Sequence, residues 1–524
     1  MENHTPGINR RTLLGAAGVG ALGWGLSSHT TARAASADAE EWTTRAKFDA
    51  LDLGFNNGNG RKDELNEDRG AVGWGEAYIL QAYLLMWEAY RDPYYLDKTI
   101  DHADHMLATR DSVRGVSDWR GLSLPAWRIY WPYSAGELAL ADVQGRPSLR
   151  LRTAWTFAES LDVTASAGTS PGTFKITTYH RDKHVGRTYD NLTMDPGSAD
   201  FAVRRINAAF DGRVDLLTAK DLRPSPDAAG DPAPLVDTMH SAYFHSSVHS
   251  GQAAYPLAWF GRIVATTPRL RSVRRYRDKA KEYLDAAEQA LAVHDEEYRL
   301  SDQGGGYYIY LRDVPNNFDG VDLPHNYATS PARAYLELTH AGRHKHRRRA
   351  TELVRDFVGD LTRQTDGTAT WHYYRTNGWL WSGWTRADDL SDNFPAHGPA
   401  RQQEDVSHAH VSITMAAAAY RARIGVTSDD MTQLCCTFSQ RVLVTAADGR
   451  PTVTTNVDGS GPLSNPAYES IIPSWLGVAS FGDTQALVRA AAERLAVNNP
   501  APEVIPMFST AYLNWAARTG ARLR

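Results

Sequence analysis

The chain has 524 residues, a formal net charge of −5 and two cysteines, Cys435 and Cys436. So small a charge excludes a general affinity for nucleic acid. Adjacent cysteines exclude a disulfide scaffold, because a bridge between neighbours is strained, and both are expected as buried small apolar residues. The 15 Trp and 24 Tyr point to a large core and to aromatic clefts, whose rings stack on the apolar face of sugars.

The N-terminus reads as an address. Arg10-Arg11 precedes the apolar run from Leu13 to Leu26, and Thr31-Ala32-Arg33-Ala34 follows. This is the pattern of a twin-arginine export signal over residues 1–36, with a small-residue cleavage site. The run is too short for a membrane span; an uncleaved anchor is the alternative. The mature protein is expected outside the cytoplasm and free of the membrane. About 490 residues remain, enough for one very large domain or two to three ordinary ones.

From Val72 to Tyr90, the residues Trp74, Tyr78, Gln81-Ala82, Leu85 and Ala89 fall on one side at helical spacing. Asp92-Pro93 stops this helix, and Tyr95 to Leu107 predicts a second one after a tight turn. The hairpin pattern recurs as 249–265 with 271–298, 324–339 with 343–362, 405–424 with 428–444, and 468–480 with 483–497. A further apolar helix spans 507–517. The first helix of a pair is apolar or rich in small residues, as in Met415-Ala-Ala-Ala-Ala-Tyr420. The second carries charge, as in Arg343-His-Lys-His-Arg-Arg-Arg349. All-apolar helices are buried and charged ones face water. The expected fold is therefore mainly α, an (α/α) toroid of inner and outer helices, with a cleft lined by the loops entering the inner ring. The basic run at 343–349 is then a solvated outer face.

Residues 145–234 break the pattern. Phe174 to Tyr179 and Val214 to Thr218 alternate like strands. Pro224-Ser-Pro-Asp-Ala-Ala-Gly-Asp-Pro-Ala-Pro234 then reads as a flexible exit. The expectation is a small β-containing domain (145–234) inserted between the toroid's N-terminal part (37–144) and its main part (235–524). A long irregular edge of the same domain is the alternative.

Four loops carry titratable and aromatic groups. The first, 240–249, holds His240, His245 and His249; the last two would share a helical face. The second joins Tyr298-Arg299 to Gly304-Gly-Gly-Tyr307-Tyr308-Ile-Tyr310. The third is Leu323-Pro-His325-Asn326-Tyr327. The fourth is Glu404-Asp-Val-Ser-His408-Ala-His410, where Asp405 or Ser407 can cap a helix. His408 would sit in that helix's first turn, which favours an anion. Thr370-Trp-His372-Tyr-Tyr-Arg375, with Trp379, Trp381, Trp384 and Arg386, suits stacking and carboxylate binding.

His, Tyr, Arg and Asn together suit β-elimination on a uronic acid. The C5 proton becomes acidic only when its carboxylate is neutralised. A His or Tyr then takes that proton and a Tyr protonates the departing O4. No cofactor or metal is needed. The assigned catalytic residues are His249 as base or neutraliser, Arg299 as carboxylate partner, and Tyr307 or Tyr308 as acid. Asn326, His325, His408, Glu404, His372, Trp384 and Arg386 are expected to bind substrate.

Trp74-Gly-Glu-Ala-Tyr78, Val248-His-Ser-Gly251, Leu323-Pro-His-Asn326, Trp371-His-Tyr-Tyr374 and Glu404-Asp-Val-Ser-His408 resemble motifs of bacterial (α/α)-toroid polysaccharide lyases, with alginate- and glucuronan-cleaving enzymes nearest. The resemblance covers most of the chain outside 145–234. It implies cleavage of a uronate polymer, an acidic polysaccharide, with the family's His on His249, its Arg on Arg299, and its Tyr on Tyr307 or Tyr308.

Three other readings compete. A glycoside hydrolase needs two carboxylates about 5 to 9 Å apart, for which Glu76, Glu404 and Asp405 are available. A metal site would use His240, His245 and His249, at a spacing unlike a strong zinc motif. A secreted glycan-binding protein would use the cleft without chemistry.

Overall fold

The computed structural model describes residues 34–153, 158–210 and 216–523. The leader expected at 1–36 lies almost wholly outside them. About 49% of the chain is helical, and its sheets are small and antiparallel; the protein is mainly α.

Helices form where apolar spacing and caps coincide. Ala77–Tyr90 follows a π-helical turn, Val72–Glu76. Asp92 caps Pro93–Ala108 through the Tyr94 N–H, with Pro93 at the first turn, where no amide hydrogen is missed. The later pairs are Ser247–Thr266 with Arg274–Ala292, His325–His340 with Arg347–Asp360, Val406–Ala422 with Ser428–Thr437, and the 3-10 segment Ile472–Phe481 with Thr484–Asn498. Val504–Thr519 follows. Sequence periodicity overshoots at the ends: helix is expected to Tyr298 but stops at Ala292, and Tyr298–Leu300 is a strand.

The first members of the pairs touch in cyclic order. Ala77–Tyr90 packs on Ser247–Thr266, which packs on His325–His340, then Val406–Ala422, Ile472–Phe481 and Val504–Thr519, which returns to Ala77–Tyr90. Neighbours meet start to start, as Gly73 with His249, Val248 with Ser330 and Thr329 with Ser412, and end to end, as Arg262 with Glu337, Glu337 with Arg421 and Tyr90 with Asn514. Small residues permit the contact. A Cβ at Gly251 would overlap the backbone of Ser330 and Pro331 on the neighbouring helix. Ala416 to Ala419 are buried in the same manner.

The two four-stranded sheets span Gly136 to Ser241, wider than the expected 145–234. One sheet has the order Leu217–Asp221, Pro147–Thr153, Gly136–Ala141, His240–Ser241. The other runs Val185–Leu192, Phe174–His180, Leu161–Ala167, Leu235–Thr238. Of the second strand expected, Val214 and Asp215 lie outside the described residues. The sheets share a separate apolar core that also takes in Tyr373, Tyr374, Leu380, Trp384 and Phe394 from the helical part. The β unit thus backs the loop that leads to His408. Cys435 is buried and Cys436 half-buried, and both are free thiols.

Candidate functional site

Of the four residues assigned to catalysis, Arg299, Tyr307 and Tyr308 share one antiparallel hairpin, with Arg299 opposite Tyr307, while His249 lies in helix Ser247–Thr266. His249 is 1% exposed. Its Nε2 accepts the Gly73 N–H at 3.0 Å, which ties the Val72–Glu76 turn to helix Ser247–Thr266. Burial, with a smaller contribution from His245, pushes its pKa down to about 3. The ring is therefore neutral, with its Nε2 occupied by the Gly73 amide. A Cβ at Gly73 would overlap the His249 ring, which explains the glycine.

Arg299 donates to the carbonyls of Glu296 and Tyr298, folding onto its own hairpin. Tyr307 lies under the Arg375 guanidinium, 3.7 Å from the ring centre, and Arg375 is held in turn by both oxygens of Asp356. Tyr308 is 1% exposed and packs edge-on to Tyr298. Tyr298 donates to Glu352 at 2.6 Å and is covered by Arg349, both on helix Arg347–Asp360. The hairpin is thus fastened to an outer helix.

The other histidines of the first loop go to separate partners. His245 is enclosed by Asp111 at 2.9 Å and Asp118 at 3.5 Å; burial opposes its protonation, but the two carboxylates together raise its pKa. His240 is exposed, 3.5 Å from Asp237. Glu76, a hydrolase candidate, is buried against His102 and the Arg61 N–H.

Among the expected substrate-binding residues, three serve packing. His325 bonds Asp360 at 2.8 Å. Trp384 stacks on His397 and donates to the Phe394 carbonyl. Arg386 donates to the Phe210 carbonyl of the β unit. His372 meets Gln403 at 2.9 Å, edge-on to Trp381, itself under Arg401. Asn326 is buried in the first turn of His325–His340, its Oδ1 unpaired; that turn has no side-chain cap.

The convergence lies at His408. Asp405 is the N-cap of Val406–Ala422 and accepts from the Ser407 and His408 amides at 2.9 and 3.1 Å. Its other oxygen takes the His408 Nδ1–H. Burial disfavours the Asp405 anion, but His408 and Ser407 more than offset this and hold its pKa below the usual value. The His408 ring lies 5.2 Å from the Tyr373 ring. Tyr327 acts electrostatically on both Tyr373 and Tyr133, and Asp405 acts on Tyr468. Burial raises the pKa of all four phenols, Tyr327 and Tyr468 to about 12. They stay protonated at neutral pH.

Glu404, beside this pair, is fully buried. Burial raises its pKa to about 8, opposed by His325 and by the Trp371 N–H that donates to it. Glu404 is thus a neutral acid next to an ionised Asp405. Sequence reading named His408 but not Tyr133, Tyr373 or Tyr468 as site residues. Only Tyr373, inside the Trp371-His-Tyr-Tyr374 motif, carried a signal; Tyr133 and Tyr468 lie in loops without one.

Compared with family models, curated proteins and solved structures, the chain matches none.

Proposed function

We propose that the chain is a secreted (α/α)-toroid polysaccharide lyase that cleaves a uronic-acid-containing polymer by β-elimination. The cyclic contacts of the six inner segments support the toroid. The observation that carries the chemistry is the Asp405–His408 pair set against protonated tyrosines.

In this reading Asp405 holds His408 with Nδ1 protonated, so that Nε2 is the basic nitrogen of the neutral ring. Nε2 takes the C5 proton of the uronate. The C5–H electrons form the C4=C5 double bond and the C4–O4 bond breaks. A tyrosine, Tyr373 or Tyr327, gives its proton to the departing O4. The start of His325–His340, through the Asn326 side-chain amide and the helix dipole, stabilises the substrate carboxylate. This moves the base from His249 to His408 and the acid from the 307–308 pair to the central phenols. The reaction needs no cofactor.

The hydrolase reading draws on Glu404 and Asp405, whose environments push their pKa values apart. Complete enclosure of Glu404 weighs against it.

One assay decides. The protein is incubated with alginate, glucuronan, hyaluronan and pectate, and ultraviolet absorbance of the 4,5-unsaturated uronate is followed. A rise with one polymer is expected. New reducing ends without absorbance would replace the lyase with a hydrolase, and neither signal would leave a glycan-binding protein.

A further inference from the structure

One arginine of the cleft wall lies on aromatic rings with no acid paired to it. Arg69 is exposed. Its Nε donates to the Tyr130 hydroxyl at 2.6 Å. Its guanidinium carbon is 5.4 Å from the centre of the Tyr130 ring and 5.2 Å from that of Trp131. Among the described residues no carboxylate forms an ion pair with it; Glu67 and Glu159 act on it only from farther away.

The neighbouring arginines are paired. Arg128 lies 3.7 Å from the centre of the Tyr243 ring, which packs 4.9 Å from Tyr130, but its Nε holds Asp68 at 3.1 Å. Arg114 holds the same Asp68, and Arg120 holds Asp118 at 2.7 Å. Arginines that brace this wall are each given a carboxylate, and Arg69 is not.

The wall reaches the central phenols. Gly70, next in the chain, fits between Trp74 and Tyr133: a Cβ there would come within 2.8 Å of the Trp74 ring and 3.0 Å of the Tyr133 hydroxyl. Tyr327 acts electrostatically on Tyr133 and also on Tyr373, whose ring lies 5.2 Å from that of His408. Tyr130, Trp131, Tyr133 and Tyr243 are all half-buried, so each keeps part of its surface in water. A guanidinium resting on an aromatic face uses its own face for that contact. Its terminal in-plane N–H groups stay available for a carboxylate.

We propose that Arg69, with Tyr130 and Trp131, forms a subsite for a second uronate of the polymer. The two terminal nitrogens of Arg69 bind that sugar's carboxylate, and the rings support its apolar face. The inference rests on the acidic polymer proposed above as substrate. The carboxylate of the reacting sugar is assigned to the start of His325–His340, so the one held by Arg69 belongs to another sugar. Arg69 touches no reacting atom, and its contribution falls on binding rather than on proton transfer.

The test is affinity electrophoresis of the full mature chain and of Arg69→Met, run cold to slow cleavage. The gels contain alginate, glucuronan, hyaluronan or pectate, or the same polymers with their carboxylates reduced to alcohols. At least one native polymer is expected to retard the wild type. Arg69→Met is expected to bind it about tenfold more weakly, the worth of one charge-assisted contact, while both proteins bind the reduced polymer alike. Arg69→Lys, which keeps the charge but not the fork, is expected to fall between them. Where that polymer is cleaved, Arg69→Met should raise KM by about the same factor and leave kcat nearly unchanged. Unchanged affinity in Arg69→Met, an equal loss toward the reduced polymer, or no retardation of the wild type by any of the polymers overturns the subsite. Binding without unsaturated product would remove the lyase and keep the subsite. Unsaturated product with Arg69→Met unaffected would keep the lyase and remove the subsite.

Discussion

Asp405 binds both the backbone of the helix it caps and the ring of His408 three residues later. One carboxylate thereby fixes a helix start and the orientation of an imidazole. His408→Ala is expected to lower elimination about 100- to 10,000-fold, the usual range for a lost general base, with little change in the circular-dichroism melt. Asp405→Asn is expected to lower it less and to destabilise the fold by up to about 1 kcal/mol, because the negative charge at the helix start is lost although Asn still caps. Activity unchanged in His408→Ala would remove this site from the mechanism.

The tyrosines separate the central cluster from the outer hairpin. Tyr307→Phe and Tyr308→Phe are expected to retain activity within about threefold, since both rings are packed under arginines or against the outer helix. Tyr373→Phe or Tyr327→Phe is expected to lose about 100-fold through the missing proton donor. Steady-state rates on the responsive polymer check all four. The opposite order would return the acid to the 307–308 pair.

His249 should behave as a structural residue. His249→Ala leaves the Gly73 N–H without its partner and opens a cavity, an expected loss of about 2–4 kcal/mol in urea unfolding. The folded protein should keep its turnover number.

Stability should also follow the protonation of His249 and His410. In the native state each takes a proton only near pH 3, whereas in the unfolded chain this happens near 6.5. Between those values the unfolded state binds more protons, so stability falls as pH drops from 6.5 toward 3. The urea midpoint of the wild type should decline across this window, and more shallowly in His410→Phe.

Glu404 predicts the reverse slope. Its native carboxyl keeps its proton up to about pH 8, while the unfolded one ionises near 4.3. Between these values the native state binds more protons, so this contribution weakens as pH rises. Glu404→Gln mimics the neutral acid. Its stability relative to wild type is expected to be flat below pH 4 and to climb toward pH 8, read from urea midpoints on both sides.

Much of the fold was legible in the chain. Apolar periodicity located the helices to within a few residues because burial of one helix face follows a 3.6-residue repeat. The Asp405 start was legible because capping is local chemistry, whereas Asp92-Pro93, expected as a stop, also begins the next helix two residues before the expected Tyr95. Ala416 to Ala419 and Gly251 marked the helices that pack closest. The site was legible in part: His408, Glu404, Asn326 and His372 lie in the loops expected to meet, and the Glu404-Asp-Val-Ser-His408 motif held the pair at its centre.

What the sequence by itself determined was every property that depends on neighbours along the chain: helix positions, caps and the alternation of buried and charged helices. What only the tertiary structure decided was which of many similar groups face each other. His249 and His408 each lie in the first turn of a buried helix. One ring is turned onto the Gly73 amide and the other onto Asp405 beside Tyr373. That choice is made by contacts between residues far apart in the chain, which no local periodicity records.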